Sequence, residues 1–350
     1  MNKKVKLAVI GAGEWGKTHA YLYDEHKAVE LVAICDLKIE KARELASEFN
    51  VPHVFSNHNK MLELIDFDAV SIVTPDFSHA QIAVDCANAG KDMLIEKPLA
   101  TTRKDLEKIW KAVKDNDVRV MVDLHNRWNP PFAVAKESLD KGDLGKPISS
   151  YFRLNDIKWV ATDMLPWADK SSILWFLGSH SVDTVRWFFN DEVDEVYSVS
   201  HYGVLKDLGI DTEDVYQTIL KFKNGGIATL ENGWITPNSY SNVNDIKFNI
   251  TGSKGVINLD LTNNNTIERF SEDKNDNPDI LVRHFIHGKA KGFAYESIRH
   301  FIDELISGDN FLISVKDAIN TSLVILAIME SAKSGKPVKV EYLKNENYSK

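Results

Sequence analysis

Residues 5–123 constrain this chain most, because two kinds of apolar pattern alternate along them. Residues 5–10, 31–35, 69–73, 93–95 and 118–122 are short, nearly continuous apolar runs. Between them, Ile39, Ala42, Leu45, Ala46 and Phe49 recur at helical spacing, and so do Ala80, Ala83, Val84 and Ala87. Thr102 followed by Asp105 resembles a capping box, in which a hydroxyl and an acidic side chain satisfy the free amides of a helix start. Continuous apolar runs suit strands buried on both faces. Their alternation with helices predicts a parallel sheet with right-handed crossovers, so the class is α/β.

Directly after the first run stands Gly11-Ala12-Gly13-Glu14-Trp15-Gly16. The first glycine permits a tight turn, the second lets the backbone approach a pyrophosphate, and the third allows close helix–strand packing. The helix that follows offers free N–H groups and a partial positive charge to phosphates. The hexapeptide alone is a weak signal. Its setting strengthens it, because Asp36 ends the second run about 20 residues past the glycines, where a carboxylate can accept from a ribose diol. A carboxylate there repels a 2′-phosphate, so NAD is favoured over NADP. The expected fold is a Rossmann parallel sheet over residues 1–124, with Glu14 and Trp15 among the cofactor-binding positions.

Beyond residue 124 the pattern changes. Residues 215–222 alternate, Asn224-Gly225-Gly226 is a turn, and 227–235 is a second strand candidate. Residues 245–250 and 255–259 flank another glycine turn. This predicts a C-terminal α+β domain over 125–350 with a large, mainly antiparallel open sheet, one face of it on helices. Ile298, Phe301, Ile302 and Leu305 form one helical stripe, and 315–334 form a closing helix, placed to pack back on the first domain. Residues 263–265 and 271–279 read as polar loops.

The net charge of −9 argues against a nucleic-acid surface, which needs a basic excess, and against an anionic membrane. Cys35 and Cys86 are the only cysteines, which is no disulfide framework, and both read as buried thiols. The apolar stretch after Met1-Asn2-Lys3-Lys4 is too short for a secretory h-region, and no run approaches a membrane span, so a cytoplasmic protein is expected. His284 and His287 lack the cysteines or carboxylates that would complete a ligand set, so no metal is expected.

Several motifs resemble the glucose–fructose oxidoreductase, inositol dehydrogenase and rhizopine-catabolism (Gfo/Idh/MocA) family. Gly11 through Gly16 with His19 look like its N-terminal fingerprint, and Thr74-Pro75-Asp76-Phe77-Ser78-His79 like its T-P-x-x-x-H loop. Ala89-Gly90-Lys91 leading to Glu96-Lys97-Pro98 resembles its A-G-K…E-K-P signature, the most specific of these. Asn126-Arg127-Trp128-Asn129-Pro130, Gly178-Ser179-His180-Ser181-Val182-Asp183 and Ser331-Ala332-Lys333-Ser334-Gly335 resemble its interdomain segment, its G-x-H-x-x-D helix and its C-terminal helix end. The resemblance implies an NAD-dependent oxidoreductase of a sugar or polyol, and a homodimer or homotetramer commonly built through the second sheet. It also implies cofactor contacts at Thr74, Pro75, His79, Glu96 and Lys97.

Hydride transfer from a secondary alcohol needs the carbon held against the nicotinamide, the hydroxyl proton removed and the developing alkoxide stabilised. Lys97, just past the 93–95 run, sits at the strand edge where open α/β sheets bind ligands, and its ammonium is the expected donor to the reacting oxygen. His180 is the expected general acid/base, because imidazole titrates near neutrality; the bland alternative is a helix histidine satisfied by Asp183. The chain departs from the family four residues before this histidine, where the usual aspartate is replaced by Phe176. Asp156, Asp163 and Asp169 are the nearby carboxylates. Arg127, Trp159, Trp167 and Phe176 complete the expected substrate-binding set, since sugar C–H faces stack on aromatic rings. Two other functions compete. One is an NAD-using glycoside-cleaving enzyme with transient oxidation; the other is a non-catalytic sugar or dinucleotide sensor, against which the intact Glu96-Lys97-Pro98 and His180 speak.

Overall fold

The computed structural model describes residues 4–262, 267–272 and 275–344. The chain divides into two compact units: Met1–Trp128 with Leu281–Ile319, and Asn129–Ile280 with Asn320–Lys350. The first unit is therefore discontinuous in sequence.

In the first unit, β1 (Val5–Ile10), α1 (Glu14–Glu25), β2 (Val29–Cys35), α2 (Ile39–Glu48), β3 (His53–Phe55), α3 (His58–Leu64), β4 (Ala69–Ile72), α4 (His79–Asn88), β5 (Asp92–Ile95), α5 (Arg103–Asn116) and β6 (Val120–Val122) follow one another. The strands form a parallel sheet of order β3-β2-β1-β4-β5-β6. The apolar runs became its central strands because helices cover both faces; Leu7, Ala8, Val9, Ala33, Ile34, Val70, Ile72, Leu94 and Ile95 are fully enclosed. The capping expectation holds: Thr102 Oγ1 accepts from the Asp105 amide at 3.2 Å. Strand β3 and helix α3 were not anticipated, being short and lying at the sheet edge.

The second unit contains α6 (Pro130–Asp140), β7 (Pro147–Ile157), α7 (Ser179–Phe189), β8 (Val193–His201), α8 (Val204–Asp207), β9 (Val215–Phe222), β10 (Ile227–Thr236), β11 (Asn244–Gly252) and β12 (Val256–Asp260). Its sheet runs β12-β11-β7-β10-β9-β8 and ends on the short strand Val338–Lys339. All pairs are antiparallel except β7–β10, which is parallel. The glycine turns fell where expected, and β7 is inserted between β10 and β11. On the helix-covered face Phe132, Phe152, Phe188 and Phe248 interlock, with ring centroids 4.8 Å apart for Phe188–Phe248 and 5.4 Å for Phe152–Phe248. Burying each such ring contributes about 1.5–3 kcal/mol.

The Arg186 guanidinium forks onto Glu192 at 2.9 and 2.7 Å, and Asn320 donates to the same carboxylate at 2.8 Å. Burial pushes the Glu192 carboxyl up, but these donors outweigh it and hold it below the usual carboxylate range.

Helices α9 (Phe293–Ser307) and α10 (Val315–Ser334) close the chain, α9 on the first unit. The 263–265 loop lies outside the described residues. Of the 271–279 loop, residues 273 and 274 also lie outside them, while Asn275–Asp276 pairs with Arg269–Phe270. No helix among the described residues is long and apolar enough to cross a membrane. Both cysteines are free and buried.

Candidate active site

The glycine-rich turn closes against the end of the parallel sheet. Gly11 has φ of +107°, a conformation that glycine adopts without strain, and a side chain there would meet Val73 O at 2.2 Å. A Cβ on Gly16 would lie 1.9 Å from Gly11 O, so helix α1 packs directly on the turn. By contrast, nothing lies within 4 Å of the position a Gly13 Cβ would take. The turn is thus tight on its protein side and open on the other, a cradle that fits a dinucleotide pyrophosphate below the amino terminus of α1. Asp36 stands at the end of β2, its Oδ2 accepting from the Ala12 amide and its Oδ1 from the Lys38 amide, each at 2.8 Å. The residues expected to hold a dinucleotide therefore converge on one edge of the first unit.

Trp15 is half-buried and Glu14 exposed in the first turn of α1. Trp15 stacks on His125 at 5.9 Å between ring centroids, and the Arg283 guanidinium lies 5.3 Å from the Trp15 ring. The guanidinium also approaches Thr18 Oγ1 at 3.4 Å. Sequence reasoning missed Arg283, because a single arginine between Val282 and His284 carries no local signal of a contact with Trp15. A cation over the first turn past the glycines adds positive potential where phosphate is expected.

The next two loops leave β4 and β5. After β4, Thr74-Pro75 turns into a short 3₁₀ segment and then α4. His79, the first residue of α4, is fully buried, its Nδ1 2.7 Å from Pro98 O and its Nε2 2.7 Å from Thr74 O. After β5 comes Glu96-Lys97-Pro98, with a cis peptide between Lys97 and Pro98. Lys97 is half-buried and Glu96 is buried.

Glu96 faces His19 of α1, with Nε2 and Oε1 3.4 Å apart, and the other ring nitrogen of His19 is 2.8 Å from Ser71 Oγ on β4. The Tyr23 hydroxyl bonds the same serine, and Asp123, past β6, accepts from the Ser297 hydroxyl of α9. His125 Nδ1 lies 3.6 Å from the Asp123 carboxylate. Burial pushes the Asp123 carboxyl up, but His125, His19 and Ser297 together outweigh it and hold the group below the usual range. His19, Glu96 and Asp123 place ligand-type atoms within 4.8 Å of one another. Within this grouping His19 holds Glu96, the residue before Lys97 in sequence.

Arg127 belongs to the first unit and is buried, donating to Leu312 O at 3.1 Å with Asp317 3.9 Å from its Nη2. The remaining expected residues lie on the second unit. Two π-helical turns, Val160–Met164 and Leu174–Gly178, bracket a loop, and α7 begins directly after the second. Such turns are frequent at functional sites. Trp159 precedes the first turn and is 42% exposed, while Trp167 in the loop is half-buried. Phe176, half-buried, lies inside the second turn, so its four-residue spacing from His180 is not a single α turn. His180 is buried near the start of α7. Of the three candidate carboxylates, Asp163 and Asp169 are exposed, whereas Asp156 is wholly buried at the end of β7 and accepts from the Asn244 amide.

Two family models match the chain: the oxidoreductase family with an NAD-binding Rossmann fold over residues 5–124, and the GFO/IDH/MocA C-terminal domain over residues 132–258. A myo-inositol 2-dehydrogenase of Thermotoga maritima is 24% identical over 341 residues, covering 96% of this chain and 99% of that protein. A levoglucosan dehydrogenase of Pseudarthrobacter phenanthrenivorans is 28% identical over 290 residues, 73% of each. The solved scyllo-inositol dehydrogenase of Lactobacillus casei with bound NAD(H) and scyllo-inositol superimposes with a TM-score of 0.82 at 20% identity, over 97% of this chain and 99% of that one.

Proposed function

The chain belongs to the GFO/IDH/MocA oxidoreductase family, and from that premise we propose that it is an NAD-dependent oxidoreductase acting on a secondary alcohol of a sugar or cyclic polyol. The observation that carries this reading is the half-buried Lys97, set just past β5 at the carboxyl edge of the parallel sheet in the unit that holds the glycine cradle. The glycine turn, the α1 amino terminus and Asp36 would hold the dinucleotide, with Thr74, Pro75 and Glu96 bordering it. Bound NAD supplies the acceptor or donor of the hydride. Lys97 donates to the reacting oxygen and stabilises its developing charge, and the family resemblance gives His180 the role of general acid/base. The curated relatives named for inositol, levoglucosan and D-apiose support a sugar or polyol over other alcohols.

The test is NADH formation monitored by absorbance across cyclic polyols, aldoses and glycosides. The reading expects net NADH with at least one polyol or sugar, and a weaker response with NADP because Asp36 opposes a 2′-phosphate. A second reading, a glycoside-cleaving enzyme that returns the hydride, is equally compatible with Phe176 in the place of the usual aspartate; sugar release without net NADH is its signature. Neither product across the screen would sink both.

The second sheet also supports a homo-oligomer. On its face away from the helices, Tyr197, Ile219, Thr229 and Tyr151 lie in register on neighbouring strands, and Ile219 is 51% exposed. Val199, Ile227 and Val256 are exposed on strands of the same sheet. Exposed apolar side chains clustered on one sheet face support a protein interaction surface there. Light scattering should give a mass that is a multiple of 39.6 kDa, and Ile219→Lys should shift it towards a single chain. A single-chain mass for the unmodified protein would exclude this assembly.

A further inference from the structure

The two ring nitrogens of His79 each meet a backbone carbonyl, Pro98 O and Thr74 O, both at 2.7 Å, and the side chain is fully buried. A carbonyl oxygen can only accept, so each nitrogen must donate. Neutral imidazole carries one N–H, and a neutral ring would therefore set one lone pair against another at 2.7 Å. Both separations are full hydrogen-bond distances, so neither nitrogen can face its carbonyl without a proton. Two such bonds offset part of the hydration that a buried cation loses.

The two carbonyls belong to different loops. Thr74 follows β4 and Pro98 follows β5, strands paired in parallel up to Ile72 and Ile95. Past those residues the strand ladder ends, and each loop leaves the sheet separately. The imidazole spans the gap that the ladder no longer bridges. The ionisable groups on these loops are Asp76, buried on the turn that precedes His79, and Glu96 and Lys97 beside Pro98, with Glu96 turned to His19.

We infer that His79 is a positioning residue, held as an imidazolium, that clasps the Thr74 and Pro98 carbonyls and so fixes the backbone presenting Lys97. The part about Lys97 rests on the function proposed above; the protonation state does not.

The primary experiment is NMR of the unmodified protein with ¹⁵N- and ¹³C-labelled histidine, the His79 ring being assigned through bonds from its own backbone. At neutral pH both ring nitrogens of His79 should be protonated and slow to exchange. A single-protonated His79 ring under those conditions overturns the clasp. The second experiment is His79→Gln, which cannot place two fixed donors in opposite directions. With NAD saturating, and the polyol that gives the most NADH as substrate, kcat should fall about 10- to 100-fold, as small misplacements of catalytic groups do. An unchanged kcat removes the positioning role even if the ring is charged. If Lys97→Ala leaves turnover intact while His79 is doubly protonated, the proposed function fails and the clasp stands.

Discussion

Lys97→Ala should leave NAD affinity intact and lower turnover by about 100- to 1,000-fold, the usual cost of removing a donor aimed at developing negative charge. The two halves of this result come from different parts of the first unit. The cradle is built from Gly11, Gly13, Gly16, Asp36 and the start of α1, none of which depends on a lysine side chain. Lys97 instead sits past β5 with its neighbour Glu96 braced by His19. Its ammonium stabilises an alkoxide more than the alcohol, so its loss acts on the transition state rather than on binding. Lys97→Arg should not restore the rate, because the planar guanidinium presents its donors in a different geometry. Calorimetric NAD titration and NADH absorbance with the best polyol measure the two halves. Turnover unchanged in Lys97→Ala would remove Lys97 from the chemistry; lost NAD binding would make it a cofactor ligand instead.

Gly16→Ala and Gly13→Ala should differ sharply, although both add one methyl group to the same turn. At Gly16 the new Cβ would lie 1.9 Å from Gly11 O and 2.9 Å from Gly11 C, both backbone atoms that no rotamer change can clear. Helix α1 must then move off the turn, with a stability loss of about 1–3 kcal/mol or more and loss of NAD binding. At Gly13 the Cβ meets nothing within 4 Å, so the protein should melt at the unmodified temperature. Its NAD affinity should nevertheless drop, because the methyl occupies the space through which the pyrophosphate approaches the backbone. Thermal melts with and without NAD separate the cases. If Gly13→Ala bound NAD as tightly as the unmodified chain, the open side of the turn would not be the phosphate cradle.

The first sheet was legible for a local reason. Strands buried on both faces are written as unbroken apolar runs, and five such runs became β1, β2, β4, β5 and β6 with boundaries moved by at most a few residues. The capping threonine and the glycine turn are equally local, since one side chain or one φ angle decides them. What escaped had a mixed pattern or little length. Strand β3 has three residues at an edge. Strand β7 alternates Phe152 and Leu154 with outward Tyr151, Arg153 and Asn155, and it buries Ser150 and Asp156 among the apolar positions, which broke the expected contrast.

The candidate site divides in the same way. Gly11, Gly13, Gly16, Asp36 and Lys97 could be named from the chain, because the roles proposed for them follow from sequence position relative to a strand end. The partners of His79 could not: a T-P-x-x-x-H loop places a histidine near the cofactor edge, but which atoms meet its ring depends on β4 and β5 lying side by side. Arg283 over Trp15 and Ser297 on Asp123 are likewise contacts across more than a hundred residues, made only when a later segment joins the first unit. The sequence by itself determined the strands, the cradle and the lysine, since local periodicity and backbone freedom encode them. Only the tertiary structure decided what holds the glutamate before that lysine, because hydrogen-bond partners of buried polar groups are set by which distant chain segments share one interior.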